Sequence, residues 1–329
     1  MAVPRNFLLK PTDTLGIAMS RVSANGEGYA AVVDEDRTLL GTFCDMDGRN
    51  AMLRGVGFDE PVDNVMMKKT AKLSRLPGEL VLDKGTVVDV VRIERPPVDG
   101  VVMAGGKGTR LRSMTGNVPK PLLSLGSSTI IERIMSRMSA AGVQHSWVAV
   151  SYKAAMFERK IRDGSVVNMA VDFLREETPL GNAGALSLLP AKGPSTVFIT
   201  NADLITGLDY ARLFDFHRCH GGPITMAAAN FTTHVKYGVV RTTKDGVLAG
   251  MDEKPELNFL CNAGMYVVDR EVLKLVPRKK FFQMPELLDA VQRRGQDVHV
   301  FPMYEKWVDA GSPEEFQQVL IEFATGVES

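Results

Sequence analysis

From residue 98 onward, apolar positions alternate between short unbroken runs and helix-spaced sets. Runs at 98–104, 146–150 (Ser-Trp-Val-Ala-Val) and 195–200 (Ser-Thr-Val-Phe-Ile-Thr) have the length and composition of strands that are apolar on both faces. Between the first two, Ile130, Ile131, Ile134, Met135 and Met138 fall on one helical face, and Gly142 marks the stop. Such alternation predicts a parallel sheet with right-handed crossovers and ligands at the carboxyl ends of its strands. After about residue 221 the pattern turns more β, at 223–229, 237–243, 247–252 and 261–268. An α/β core with a mixed, partly antiparallel extension follows.

The first 95 residues are patterned differently. Thr14 to Ser23 is a candidate helix, Tyr29 to Asp34 a strand, Glu35-Asp-Arg37 a turn, Leu39 to Phe43 a second strand and Asp47 to Arg54 a helix. Arg95-Pro-Pro97 favours an extended linker, dividing the chain into 1–95 and 98–329. The helix–strand–strand–helix order, with Val33-Asp34 before the turn and Gly41 to Asp47 after it, resembles one cystathionine-β-synthase-type (CBS) repeat. A weaker echo, Val65-Met66 and then Leu80 to Asp89, looks like a truncated second copy, because Lys68 to Gly78 is too short for the usual helix. The resemblance implies that position 44 and Asp47 contact an adenine nucleotide, but Cys44 stands where that family often has Thr or Ser. A packing or dimerising module is the expectation.

Composition narrows the classes. Lys+Arg and Asp+Glu are both 39 in 329 residues, and this zero balance argues against a general nucleic-acid or membrane-surface role. The hydrophobic share of 45% suits a substantial globular core. Cys44, Cys219 and Cys261 are odd in number and far apart, which fits a reducing cytoplasm better than disulfides or zinc. No apolar stretch approaches the roughly 18 residues of a membrane span, and no export signal is visible, so a cytoplasmic protein is expected. His217, Cys219 and His220 fit no zinc spacing and are expected to end a helix. No nucleophile-elbow Ser/His/Asp set appears.

The densest chemistry lies in Val101 to Arg112, closed by Pro119-Lys-Pro121. An apolar run enters a glycine cluster, where backbone N–H groups can crowd an anion without a Cβ in the way. Arg110, Arg112 and Lys120 add the charge that several phosphates demand. The segment is neither GxxxxGK[ST] nor GxGxxG. Asn201-Ala-Asp203 puts a carboxylate at a strand's C-terminal end, where catalytic divalent metals take hard oxygen ligands. Trp307-Val-Asp-Ala-Gly-Ser-Pro313 offers a second aspartate, with Ser312, Pro313 and Glu315 placed to start a helix.

Ala104-Gly-Gly-x-Gly-Thr-Arg-Leu-Arg112 followed by Pro-Lys-Pro resembles the opening signature of the sugar-1-phosphate nucleotidyltransferases. They join a nucleoside triphosphate to a sugar phosphate and release pyrophosphate. Ser113 stands where the family commonly has Pro, a change that removes no charge. Leu180-Gly-Asn-Ala-Gly-Ala185, Tyr237-Gly-Val-Val240, Glu253-Lys-Pro255 and Asn262-Ala-Gly264 resemble further family segments in the same order.

The resemblance implies a Rossmann-like, mixed, mostly parallel sheet of the nucleotide-diphospho-sugar transferase type, with a small α+β CBS-like domain before it. It implies nucleotide contacts at Ala104, Gly105, Gly106, Gly108, Thr109, Gly181, Asn182 and Gly184, and catalytic charge from Arg110 and Lys120. It also implies Mg²⁺ on Asp203 and Asp309, and sugar-phosphate contacts at Gly238, Glu253, Lys254 and Asn262. Glu176, beside Glu177, can offer a carboxylate to the N1–H and 2-amino donors of guanine, and likeness to the guanylyltransferase branch makes GTP the expected donor. The expected partners are a nucleoside triphosphate and a sugar 1-phosphate, with a homo-oligomer as the assembly. Two alternatives stand beside this: transfer to a non-sugar phosphate or phosphonate, and an inactive nucleotide sensor. Glu253 and Gly238 speak against the first, and Arg110, Lys120 and both aspartates against the second.

Overall fold

In the computed structural model the described residues are 5–68, 78–92, 95–106, 118–163, 169–309, 315–317 and 320–321. The N-terminal part holds the expected helix–strand–strand–helix order between two further short strands: β1 (Leu8–Leu9), α1 (Leu15–Ala24), β2 (Tyr29–Val33), β3 (Leu39–Cys44), α2 (Asp45–Leu53) and β4 (Met67–Lys68). The four strands form one sheet in that sequence, with β1 parallel to β2 and the other pairs antiparallel. Thr14 caps α1 by accepting the Ile17 N–H at 3.3 Å. The helix buries Leu15, Ala18, Met19 and Val22 against Ala30, Val32, Phe43 and Ala51. A hairpin, β5 (Gly78–Asp83) and β6 (Thr86–Arg92), follows, and a bridge between Thr38 and Thr86 ties it to the sheet.

Beyond the linker come β7 (Val98–Met103), β8 (Ser124–Leu125), β9 (Ser128–Thr129), α3 (Ile130–Ala140), β10 (His145–Val150), α4 (Ala154–Asp163), β11 (Ala170–Arg175) and α5 (Gly181–Gly184). After them run β12 (Thr196–Asn201), β13 (Leu204–Thr206), α6 (Tyr210–His220), β14 (Ile224–His234), β15 (Val239–Thr242) and β16 (Leu248–Asp252). The last are β17 (Glu256–Asp269), α7 (Met284–Gln292), β18 (Val298–Met303) and β19 (Trp307–Asp309).

Seven strands make the central sheet in the order β11-β10-β7-β12-β17-β14-β18. Six run the same way, and β17 alone is antiparallel to its neighbours β12 and β14. The chain builds β7, β10 and β11 outward to one side and then returns to place β12 on the other. That reversal is the switch point of a doubly wound sheet, which opens a crevice at the strands' carboxyl ends.

Alternate residues of the strands feed two cores. Val102, Val148 and Phe198 join α3 and α6 on one face, while Val101, Ala149, Val197 and Ile199 join Leu186, Met284, Leu287 and Val291 on the other. α3 is the helix that the Ile/Met spacing predicts, and its capping box is complete. Glu132 Oε2 accepts the Thr129 N–H at 2.7 Å, and Thr129 Oγ1 accepts the Glu132 N–H at 3.4 Å. Gly142 follows it at φ +94°.

The extension differs from the sequence expectation in length. β14 and β17 pair all the way to His234 and Glu256, well past the expected 223–229 and 261–268, as a ribbon whose outer half is exposed. Backbone pairing sustains it where side-chain burial has ended. A bulge lies between Met226 and Ala228, opposite Gly264 at φ +72°. His217, Cys219 and His220 end α6, His220 Nδ1 lying 3.0 Å from the Phe216 carbonyl and His217 Nδ1 2.9 Å from Thr225 Oγ1. No helix among the described residues is long and apolar enough to cross a membrane.

The two parts share a core. Tyr29, Cys44 and Met46 pack in the same cluster as Phe214, Phe216 and Phe301. Arg95 in the linker is pinned by two-pronged contact with Asp215, at 3.0 and 2.7 Å. Part of the apolar surface of the N-terminal part is therefore covered within the chain.

Candidate active site

A cleft of about 320 Å³ lies at the switch point. Its floor is Met103 to Gly106 at the end of β7, and Asn201 to Asp203 at the end of β12. One wall holds Lys120 and Pro121; the other holds Glu176, Pro179, Gly181, Asn182 and Phe281.

Lys120 begins a short 3₁₀ turn, Lys120–Leu122, set by Pro119 and Pro121, and its side chain is almost wholly buried. Its ammonium lies 2.8 Å from Asp203 Oδ2 and 3.6 Å from Asp309 Oδ1. Although 106 positions apart in the sequence, the two aspartates meet because β13 and β19 pair antiparallel, Leu204 opposite Asp309 and Thr206 opposite Trp307. The Trp307 indole N–H donates to the Ala263 carbonyl at 3.0 Å and steadies that strand.

Burial raises the Asp309 carboxyl above its ordinary value, and the Asp203 charge pushes it the same way, against the pull of Lys120. Asp309 Oδ1 is buried and has no hydrogen-bond partner among the described residues, only the ammonium at ion-pair distance. Two converging carboxylates, one with a spare buried oxygen, fit a Mg²⁺ ion that keeps phosphate and water oxygens in its other positions. Among the described residues no group of three or more His, Cys, Asp and Glu side chains forms a protein-only cage.

Across the cleft from Lys120, Gly105 allows a close approach: a Cβ there would lie 2.2 Å from Glu176 Oε1. Glu176 Oε2 accepts the Leu180 N–H at 2.7 Å. Burial raises the Glu176 carboxyl's pKa, and that N–H partly opposes the shift. Gly181 adopts φ +80°, and a Cβ on it would meet the Phe282 carbonyl at 2.6 Å. Asn182 Oδ1 accepts the Met284 N–H at 2.7 Å, so this side chain lines the cleft and also caps α7. Gly184 sits deeper than these residues. It is buried against residues 280–282, where a Cβ would lie 2.5 Å from the Lys280 carbonyl, and it packs the wall without lining the cleft. Gly108, Thr109 and Arg110, with Arg112 and Ser113, lie outside the described residues.

The sugar-phosphate candidates form a second group, away from these cleft-lining residues. Gly238 and Glu253 face each other across the β15–β16 hairpin, where a Cβ on Gly238 would lie 2.9 Å from Glu253 Oε2. Lys254 follows at φ +46°, an uncommon conformation for a side-chain-bearing residue and worth noting in a turn that precedes Pro255. Asn262 donates to Tyr266 Oη at 2.5 Å and accepts the Gly264 N–H at 2.9 Å, which fixes the root of the ribbon. Gly264 in turn packs on Asn201 of the cleft floor. The structure thus joins Lys120, Asp203, Asp309, Glu176, Asn182 and the first glycines in one place and holds Gly238, Glu253 and Lys254 on an adjoining arm.

Sequence reasoning passed over Asn201 and Phe281. Asn201 sat inside the quoted Asn-Ala-Asp triplet. Phe281, 60% exposed on the rim, was signalled only by an aromatic pair following Lys279-Lys280.

The chain belongs to the nucleotidyl transferase family, whose model matches residues 99–325. Among its relatives, mannose-1-phosphate guanylyltransferase of Mycobacterium tuberculosis is 32% identical over 235 residues, covering 70% of this chain and 66% of that protein. The catalytic subunit beta of the Drosophila pseudoobscura pseudoobscura enzyme of that name is 30% identical over 222 residues, covering 66% and 60%. The chain spans less than two thirds of the length of these curated relatives. Crystal structures of HddC from Yersinia pseudotuberculosis align with TM-scores of 0.54 and, for its complex with GMP-PN, 0.55, at 27% and 25% identity. Each alignment covers 68% of this chain and 99% of HddC.

Proposed function

We propose that this protein transfers a guanylyl group from GTP to a sugar 1-phosphate, with mannose 1-phosphate the first candidate acceptor, and releases pyrophosphate. The observation that carries this is the meeting of Lys120, Asp203 and Asp309 in a cleft whose opposite wall presents Glu176. The guanylyltransferase names of its relatives and the GMP-PN bound to HddC support the choice of base.

An oxygen of the acceptor phosphate attacks the α-phosphorus in line, and the bond to the β-phosphate oxygen breaks, its electron pair leaving with pyrophosphate. Catalysis is positioning and charge neutralisation without a covalent intermediate. The Gly105 and Gly106 backbone borders the triphosphate, and Lys120 meets the phosphoryl oxygens. Arg110 has the charge to meet the leaving pyrophosphate. Glu176 accepts from guanine N1–H and the 2-amino group. Glu253 and the Gly238 backbone take sugar hydroxyls, Lys254 the acceptor phosphate, and Asn262 holds the ribbon's root. Asp203 and Asp309 would hold Mg²⁺, which when bound neutralises charge on the two phosphate groups.

Residues 1–95 belong to the same proposal as a degenerate CBS-type packing module. Asp47 spends its carboxylate on the Cys44 N–H at 2.8 Å and Sγ at 3.1 Å, so it caps α2 where a nucleotide-binding repeat would use it. The working assembly is a homo-oligomer, which light scattering of the purified chain reads directly.

The test is pyrophosphate release by the purified full chain with Mg²⁺, mannose 1-phosphate and each nucleoside triphosphate in turn, with mass spectrometry of the product. GDP-mannose is the expected product. Preference for UTP or CTP, or turnover with no sugar phosphate at all, overturns the assignment.

A further inference from the structure

Arg49, on α2 of the N-terminal part, has a fully buried side chain. Nε donates to Asp45 Oδ2 at 2.5 Å, Nη1 to the Pro302 carbonyl at 2.6 Å and Nη2 to Glu305 Oε1 at 2.7 Å. The guanidinium carbon lies 3.8 Å from the Phe301 ring centre and 4.6 Å from that of Tyr304. A second arginine, Arg212 of α6, reaches Asp45 Oδ1 at 3.0 Å and the Val22 carbonyl at 2.9 Å. Two arginines and two carboxylates thus balance in a buried network that spans both parts of the chain. Burying a guanidinium is tolerated only when its donors are met, so the geometry of this contact is tightly specified.

Apart from Asp45, every partner of Arg49 named here lies in 301–305, the end of β18 and the first residues of the turn to β19. The next four residues lead to Asp309. That short span is itself held at both ends: the Gly207 N–H donates to the Lys306 carbonyl at 3.1 Å, and Leu204 pairs with Asp309. Four residues reach at most about 14 Å when extended, so a shift at Glu305 has little slack to absorb it before Asp309.

We infer that Arg49 is a positioning residue for the transfer reaction: the N-terminal part sets the place of Asp309 relative to Asp203 by gripping the 302–305 stretch. This rests on the proposed guanylyl transfer for its kinetic consequence, but not for its structural one. The role resembles that of groups behind metal ligands, which hold the ligand's orientation without touching the reacting atoms.

The experiment uses the full chain with Arg49→Met, Arg49→Lys and Glu305→Gln. Steady-state kinetics follow pyrophosphate release against GTP and Mg²⁺, and amide hydrogen exchange is read on metal-free, nucleotide-free protein. Arg49→Met is expected to lower kcat about 10- to 100-fold and raise the Mg²⁺ needed for half-maximal rate, with the GTP KM changing by less than about threefold. Exchange should quicken at 302–309 while 98–103 and 196–201 stay as in the wild type. Arg49→Lys should recover part of kcat, because it keeps the charge and loses the fork. If Arg49→Met does not fold, Glu305→Gln tests the same grip with Arg49, Asp45 and Pro302 left in place, and should show the same localised exchange. Wild-type turnover in the folded variant, or exchange quickened evenly over the whole chain, overturns the inference. A wild-type protein that releases no pyrophosphate would instead sink the guanylyl-transfer assignment, while localised exchange at 302–309 would still report the grip.

Discussion

Leu204 stands opposite Asp309 in the short ladder of β13 and β19, so the residue after Asp203 fixes where its partner carboxylate lies. The pair is therefore built by backbone pairing, with Lys120 between the two acids. Replacing either aspartate by Asn keeps the shape and weakens a hard-cation ligand. Turnover should fall by at least about a hundredfold, roughly 2.7 kcal/mol in the barrier. Pyrophosphate release over a Mg²⁺ titration measures it; near-normal rates in both variants would remove the metal assignment.

Lys120→Met should act on both chemistry and stability, in opposite directions with respect to the ion. Without Mg²⁺, two carboxylates would face each other with no cation between them, and the melting temperature should fall below that of the wild type. Adding Mg²⁺ should raise it by more in the variant than in the wild type, while kcat falls more than the GTP KM rises. Thermal shift with and without the ion checks the first part, and a variant insensitive to Mg²⁺ contradicts it.

Glu176 supplies a pH test. Burial raises its pKa above the ordinary glutamate value of about 4.3. The folded state thus holds this proton more tightly than the unfolded chain does, so its contribution to stability falls as pH rises between the two values. Guanine recognition runs the other way, because only the ionised carboxylate accepts both base donors. As pH drops through the raised value, the GTP KM should climb while kcat for bound substrate holds. Glu176→Gln should weaken GTP binding and remove this acid limb from kcat/KM; an unchanged limb would place the titrating group elsewhere.

The contact between the two parts should be measurable as stability. Asp45 takes charge from Arg49 and Arg212 in a buried setting, and Asp45→Ala leaves both cations without it. A loss of about 3–5 kcal/mol is expected in urea unfolding. A chain beginning near Pro97 should fare worse, since it uncovers Phe214, Phe216 and Phe301 as well as Arg212. Soluble, fully active protein from that truncation would contradict the shared core.

Much of the fold was legible because burial is periodic. β7, β10 and β12 are apolar on both faces, and α3 shows its Ile/Met stripe with Thr129 and Glu132 at its start. β11 and β18 were not read. β11 is an edge strand, half exposed, and β18 carries His299 and Pro302, so neither shows a clean period. In the site, the glycines and aspartates announced themselves through local motifs. Arg49 could not: on the chain it is a polar residue in a polar helix, and its importance comes from partners more than 250 positions away. A glycine needed for packing and one needed by a ligand look alike in a sequence, so the burial of Gly184 against 280–282 was not legible there.

The bulge opposite Gly264 occurs where the β14–β17 ribbon leaves the core and passes Asn201. The direction in which that ribbon aims is thus decided at its root, by a single left-handed glycine, far from the turn that carries Glu253 and Lys254. Under the roles proposed for Glu253 and Lys254, sheet geometry becomes a gauge: the angle of the bend would set how large an acceptor can stand between arm and cleft. Altering that angle would then shift the choice of sugar while leaving the choice of base, as proposed, to Glu176 and its wall.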